Sequence, residues 1–339
     1  MAGRSRRPDR RVGSAVVTEV GACPTRATIG VYPTPLQHVP GYPRLRVKRE
    51  DLSGFGFGGS KIRLLDQVVS AGRRRGASAL VTGGRRDSNW VPLAMMAAHR
   101  EGWDGYAVFD PTPSGSRESS AVRLTRRLGA SVSFAAEPGA DAVKAGIACV
   151  RERLEADGQL VAQVPRGGRD AEATRGYTRI VEEILGQRPI DEVADLDLDL
   201  DLDLIVPVGG GGLGVGLALG LVQQGHRGRV VGVAVTSSAE VAQAKVAALC
   251  EEVAAAAGGL DGPTLAGRVT VVPVTQPTDA GARALSRTAG QLGLLLDPVF
   301  GRPAWSTAFA AGLATSSTAE VVLVASGGLP MYLEEVGES

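Results

Sequence analysis

The sequence predicts an α/β protein built from two parallel-sheet units. Three observations carry this. Beyond residue 60, stretches with apolar residues at helical spacing alternate with short β-branched runs. The runs at 204–208, 230–235, 269–272 and 321–324 are apolar at nearly every position, as strands buried on both faces are. About ten strand-like runs is also more than one open sheet usually holds, so two sheets are expected.

In order, Ile62, Leu65, Val68 and Val69 place a helix over 61–75, and Ala79-Leu80-Val81-Thr82 reads as a buried strand ending at Gly83-Gly84. A helix over about 88–101 follows, then a strand at 106–109. Residues 121–128 read as helix, 130–134 as strand and 140–156 as helix. Residues 195–204 alternate aspartate and leucine; Leu200 and Val206 stand where a calcium loop needs glycine and glutamate, so this stretch is expected to be a solvated lead-in to the next strand. Helical stretches separate the four later strands.

The chain has 339 residues, 44% of them apolar and 22% charged, enough to bury a substantial core. Its 37 Lys+Arg against 36 Asp+Glu give no reason to expect nucleic acid or an anionic membrane as partner. The arginines at 4, 6, 7, 10 and 11 form a basic tail interrupted by Pro8 and Asp9, read as a solvated terminus. Cys23, Cys149 and Cys250 lack paired spacing, which argues for a reducing compartment, and the scattered His38, His99 and His226 argue against a metal centre. No apolar run reaches membrane-span length and the start lacks a signal-peptide core, so a cytoplasmic protein is expected.

Two segments carry the chemistry. Lys61 closes a run from Lys48 to Gly58-Gly59-Ser60-Lys61, where an extended segment meets a Gly-rich turn and then a helix. A lysine there has a flexible stem and an amine whose pKa falls on burial, which suits imine chemistry; alone, a lysine in the first turn of a helix is usually just a solvated charge. The second segment, Gly209 to Gly216, follows a strand and opens a helix, so side-chain-free amides form an anion site at the positive helix end. Gly209, Gly211 and Gly214 also fit a dinucleotide fingerprint, but the next strand ends Thr236-Ser237-Ser238 without the acid that would hold a ribose.

Together with other segments, these resemble the pyridoxal-phosphate enzymes of fold type II. The narrower resemblance is to the branch of 1-aminocyclopropane-1-carboxylate deaminase and D-cysteine desulfhydrase. The carrying residues are Thr34-Pro35-Leu36, Lys48 to Leu52, Gly58 to Lys61, Gly84 to Trp90, Pro165 to Gly168, Gly176-Tyr177, Glu183-Ile184, Gly209 to Leu213, Asp297 to Phe300 and Ser326 to Gly328. They run over nearly the whole chain.

The resemblance implies a cofactor, pyridoxal 5'-phosphate, in a cleft between a large domain (1–55 with 165–339) and a small one (56–164). It implies that Lys61 forms the imine and moves the α-proton, that Asn89 donates to the phenolic oxygen, and that Gly209, Gly210, Gly211, Gly212 and Leu213 hold the phosphate. Ser326 would meet the pyridine nitrogen, and Ser88 would bind the substrate carboxylate and relay a proton. A homodimer is the usual assembly of enzymes that look like this.

Four departures surround the substrate rather than the phosphate. Phe300 replaces the tyrosine tied to cyclopropane ring opening, so that activity is not expected. Gly301 stands where those deaminases place a glutamate, and the neutral Ser326 implies a weaker electron sink. Asp87 would repel a carboxylate unless Arg85 or Arg86 offsets it, or else would bind a substrate cation, and Trp90 reads equally as pocket wall or core. The expectation is a lyase acting on an amino acid with a β-leaving group, through an aminoacrylate released as 2-oxo acid and ammonia. A β-replacement synthase, a cofactor-binding protein that has lost catalysis, and a nicotinamide oxidoreductase are the alternatives.

Overall fold

The computed structural model describes residues 28–112, 119–188, 201–315 and 319–338. The arginine tail, Cys23 and the first six residues of the Asp/Leu repeat lie outside them. Two sheets are present, of six strands and four.

The larger begins with the hairpin of β1 (Leu36–Val39) and β2 (Tyr42–Lys48), the antiparallel edge of a sheet otherwise parallel. It continues through β7 (Asp201–Val208), β8 (Arg229–Ala234), β9 (Val269–Pro273) and β10 (Ala319–Val324), in the order β1-β2-β10-β7-β8-β9. The smaller is wholly parallel: β3 (Ala79–Gly84), β4 (Asp104–Phe109), β5 (Ser131–Phe134) and β6 (Val161–Gln163), in the order β5-β4-β3-β6.

Why the later strands read as unbroken apolar runs is visible in the core. Leu204, Val206 and Val208 of β7 and Val322 and Val324 of β10 enter one apolar cluster. The intervening Ile205, Val321 and Leu323 enter a second on the opposite face. Period-2 alternation therefore sends the apolar side chains of these strands into cores on opposite faces, and helices cover both faces. The small sheet repeats this with Leu80 on one side and Val81, Val108, Val143 and Ile147 on the other.

The helices are α1 (Lys61–Arg75), α2 (Trp90–Glu101), α3 (Ser120–Arg127), α4 (Ala140–Ala156), α5 (Ala171–Thr174), α6 (Thr178–Gly186), α7 (Gly212–Gln223), α8 (Ala239–Ala257), α9 (Gly262–Ala266), α10 (Asp279–Gln291), α11 (Gly301–Ala310) and α12 (Leu329–Glu338). Among the described residues, none is long and apolar enough to cross a membrane.

The Asp/Leu repeat differs from expectation. Its last residues are strand: Leu202 is buried opposite Glu320, and Asp203 makes a bidentate pair with Arg229 at 2.8 and 2.9 Å. The aspartates alternate outward because the leucines fill the core face, and a neighbouring arginine neutralises the one that is buried.

Parallel strands end on the same edge, so loops far apart in sequence become neighbours there. In the larger sheet that edge carries the turn after β2 that leads to Lys61, Gly209–Gly212 after β7, Thr236 after β8, and Ser326–Gly328 after β10. In the smaller it carries 85–89 after β3, Asp110 after β4 and 165–168 after β6.

Candidate active site

Lys61 is placed by backbone stitching. Asp51 N donates to Ala325 O at 2.9 Å, and Ser60 N donates to Ser326 O at 3.0 Å. This ties the start of α1 to the end of β10. Only glycine fits the contact: Gly59 has φ +112°, and a Cβ on it would lie 2.9 Å from Ser326 O.

The next turn of α1 is held by charge. Arg63 donates to Glu50 (2.7 and 2.8 Å) and to both oxygens of Glu183 (2.8 Å each), while Lys48 Nζ binds Glu183 at 2.6 Å and Thr34 O at 2.7 Å. Lys48 and Glu50 are fully buried, and burial pulls the Lys48 amine below its ordinary value. Thr34, Lys48, Glu50 and Glu183 are thus a neutralised scaffold around the lysine's helix, which explains the segments in which they occur.

The Lys61 amine donates to Gly167 O at 2.8 Å and faces the Trp90 ring, 5.6 Å from its centroid. Burial lowers its pKa to about 8. Trp90 is 2% exposed; its Nε1 donates to Thr82 Oγ1 at 2.9 Å, and Thr82 donates to Val164 O at 2.8 Å. The indole therefore packs in the core, with one face towards the Lys61 amine.

The Gly-rich segment forms the turn that opens α7. Gly211 takes φ +87° at the N-cap of α7, and a Cβ on Gly210 would meet nothing within 4 Å. A Cβ on Gly212 would come within 3.8 Å of Tyr177, whose hydroxyl faces Ser60 beside Lys61. The open amides therefore adjoin the lysine turn. A Cβ on Gly209 would lie 3.1 Å from Phe300 Cε1 and 3.7 Å from Thr236 Cγ2, so Phe300 and Thr236 border the same loop. Phe300 is set by Asp297, whose buried carboxylate accepts from the amides of Val299 (3.0 Å), Phe300 (2.7 Å) and Gly301 (2.8 Å).

On the small-sheet side, Ser88 Oγ accepts from Trp90 N at 3.2 Å, which leaves its hydrogen to donate. Asn89 makes no capping bond, and among the described residues its amide and the Ser326 hydroxyl have no side-chain partner. Asp87 is answered by Arg85, which grips it at 2.7 and 2.9 Å. Arg86 turns away to Asp110 O and Pro111 O and lies 4.5 Å over Phe134.

The sequence did not single out Thr82, Gly167 or Thr236. Only Gly167 left a trace, inside the 165–168 segment; the others have ordinary strand and turn identities.

These features suit one cofactor. An enclosed lysine amine, open glycine amides at a helix start, and an unpartnered amide and hydroxyl fit an aromatic aldehyde bearing a phosphate. In agreement, residues 27–327 match the family of pyridoxal-phosphate dependent enzymes, and the chain belongs to that family. Pyridoxal phosphate is its cofactor, and the fold is fold type II.

Within the family the chain is similar to the D-cysteine desulfhydrase of Yersinia enterocolitica, at 28% identity over 260 residues, 75% of this chain and 76% of that one. It is also similar to nocardicin C-9' epimerase of Nocardia uniformis, at 34% over 158 residues, covering 44% and 47%. The structure of an ACC deaminase homologue superposes with a TM-score of 0.74 over 91% of this chain and 94% of that one, at 24% identity.

Proposed function

We propose that the protein is a lyase that eliminates a β-substituent from an amino acid, as its desulfhydrase relatives do on D-cysteine. The observation that carries this is the Lys61 amine. Its lowered pKa leaves it able to exchange a proton near neutrality, and it stands where the loops of both sheets converge. In this reading the cleft lies between residues 1–55 with 165–339 and residues 56–164.

Lys61 holds the cofactor. Asn89 donates to its phenolic oxygen, the amides of Gly209 to Leu213 take its phosphate, and Ser326 meets the pyridine nitrogen. Pyridoxal phosphate supplies the electron sink that acidifies the substrate's α-hydrogen. Lys61 Nζ, freed once the substrate's own amine takes its place on the cofactor, would take that proton. Ser88, with its oxygen engaged by Trp90 N, donates its hydrogen to the substrate carboxylate. The Cβ–X electron pair leaves with the β-substituent, and hydrolysis of the remainder yields a 2-oxo acid and ammonia. Phe300 offers no acid to open a cyclopropane ring, and Ser326 offers no charge to the pyridine nitrogen. Both favour a substrate whose leaving group departs promptly.

The test is to incubate the holoenzyme with D- and L-cysteine and with β-chloro-D- and L-alanine in D2O, following 2-oxo acid and α-hydrogen exchange. Keto-acid formation from one enantiomeric series supports the reading; exchange without product sinks it. A second reading, epimerisation, draws support from the similarity to nocardicin C-9' epimerase and from the free Ser88 hydrogen, a second proton source. It predicts loss of optical activity in an amino acid that has no leaving group.

A further inference from the structure

We propose that Arg166 is a specificity residue that binds a carboxylate at the far end of the substrate's side chain. This rests on the lyase reading for its substrate class and adds the group that the site selects.

Arg166 opens the turn after β6, directly before Gly167, whose carbonyl receives the Lys61 amine at 2.8 Å. Gly168, on the other side, is packed against Trp90: a Cβ there would lie 3.1 Å from the ring. The turn is therefore fixed at the reactive lysine. Yet Arg166 Nε is shielded from solvent and has no hydrogen-bond partner. Among the described residues the guanidinium makes no ion pair either. A buried guanidinium donor without an acceptor is costly, and such a group retained beside a ligand site is explained by a ligand that supplies the acceptor.

The surrounding charges point to an anion. The nearby carboxylate is Asp110, at the end of β4, and both its oxygens are occupied, one by Thr112 N and the other by Gly139 N, each at 2.9 Å. Those contacts, and more weakly Arg166, hold the Asp110 carboxyl below its ordinary range. Arg86 is committed to backbone carbonyls and Arg85 to Asp87. Five charged side chains thus meet at this edge, three positive and two negative, and the unpaired one is Arg166. Its planar fork matches a carboxylate.

Position separates this carboxylate from the α-carboxylate. Ser88, assigned to the α-carboxylate, stands in the turn after β3, whereas Arg166 opens the turn after the neighbouring strand β6, with its charge acting on Asp110 at the end of β4. That suits the end of a side chain.

The experiment uses the holoenzyme and two matched probes, each in both enantiomers: S-(2-carboxyethyl)cysteine and S-propylcysteine. Binding is read from the visible absorbance of the bound cofactor, elimination from released thiol. In the wild type the carboxylated probe should bind at least roughly tenfold tighter than the propyl probe. In Arg166→Gln that preference should collapse while the propyl affinity holds, and Arg166→Lys should keep part of it. Thermal unfolding of Arg166→Gln should stay close to the wild type, since no hydrogen bond or ion pair is lost.

Equal binding of the two probes by the wild type, binding of neither, or equal weakening of both in Arg166→Gln would overturn the assignment. Thiol release from both probes without preference refutes the Arg166 role and leaves the lyase reading standing. A carboxylate preference in binding that needs Arg166, with no thiol released, does the reverse.

Discussion

Replacing Lys61 with methionine removes a charge from an enclosed position, and the cofactor-free chain is expected to become relatively more stable at neutral pH. Burial lowers the amine from 10.5 to about 8 in the folded chain. The unfolded chain keeps the ordinary value. Between those limits the unfolded chain holds a proton that the folded chain has released, so wild-type stability rises with pH across that window. Below about 8 both states are protonated, and the full penalty for the buried ammonium stands at about 3 kcal/mol. Methionine carries no such penalty. The stability advantage of Lys61→Met over wild type should therefore be largest at pH 7 and fall by about 3 kcal/mol towards pH 10.5. The assay is urea unfolding of both cofactor-free proteins, followed by circular dichroism at several pH values. A difference that does not change with pH would show that the amine is solvated, and the account of Lys61 as a poised base would fail. The same lowering leaves about 9% of the amine neutral at pH 7, so cofactor attachment should speed up with pH and level off above about 8.

Three further outcomes follow from the scaffold. Arg63→Met strips the fully buried Glu50 of its partner and should cost about 3–5 kcal/mol in urea unfolding, with part regained in the double variant with Glu50→Gln; a loss below about 1 kcal/mol would mean water reaches the cluster. Gly59→Ala forces a side chain into φ +112° and against Ser326 O, so it should cost about 1–3 kcal/mol and weaken cofactor binding in a fluorescence titration; unchanged affinity would deny the stitch between α1 and β10 a role in the site. Thr82→Val leaves the buried Trp90 N–H without an acceptor and should cost about 1–3 kcal/mol in thermal unfolding, which a neutral result would contradict.

Much of this was legible in the chain. The unbroken apolar strands and the 61–75 and 140–156 helices follow from periodicity alone, because burial on both faces or on one leaves a different repeat. The edge hairpin was harder to see. Tyr42–Lys48 carries Arg44, Arg46 and Lys48 among its apolar residues and lacks the pure signal of a central strand, since ion pairs, and not apolar contacts, satisfy one of its faces. Ser88 illustrates the same limit at a site. The sequence offered three good N-cap residues in a row, Asp87, Ser88 and Asn89. It is folding that spends Asp87 on Arg85 and Ser88 Oγ on Trp90 N, leaving the Asn89 side chain without a hydrogen-bond partner among the described residues.

The sequence by itself determined the class of fold, the lysine turn and the glycine loop, because each rests on local rules: hydrophobic period, glycine conformation, and amides at a helix start; the cofactor followed from resemblance to a family. Only the tertiary structure decided that Phe300 and Thr236 border Gly209, that the buried Trp90 faces the Lys61 amine, and that Arg166 makes no hydrogen bond or ion pair among the described residues. Those facts depend on which strand ends adjoin one another and which charges find one another first. Both are settled by sheet order and packing across long sequence separations, to which no local pattern refers.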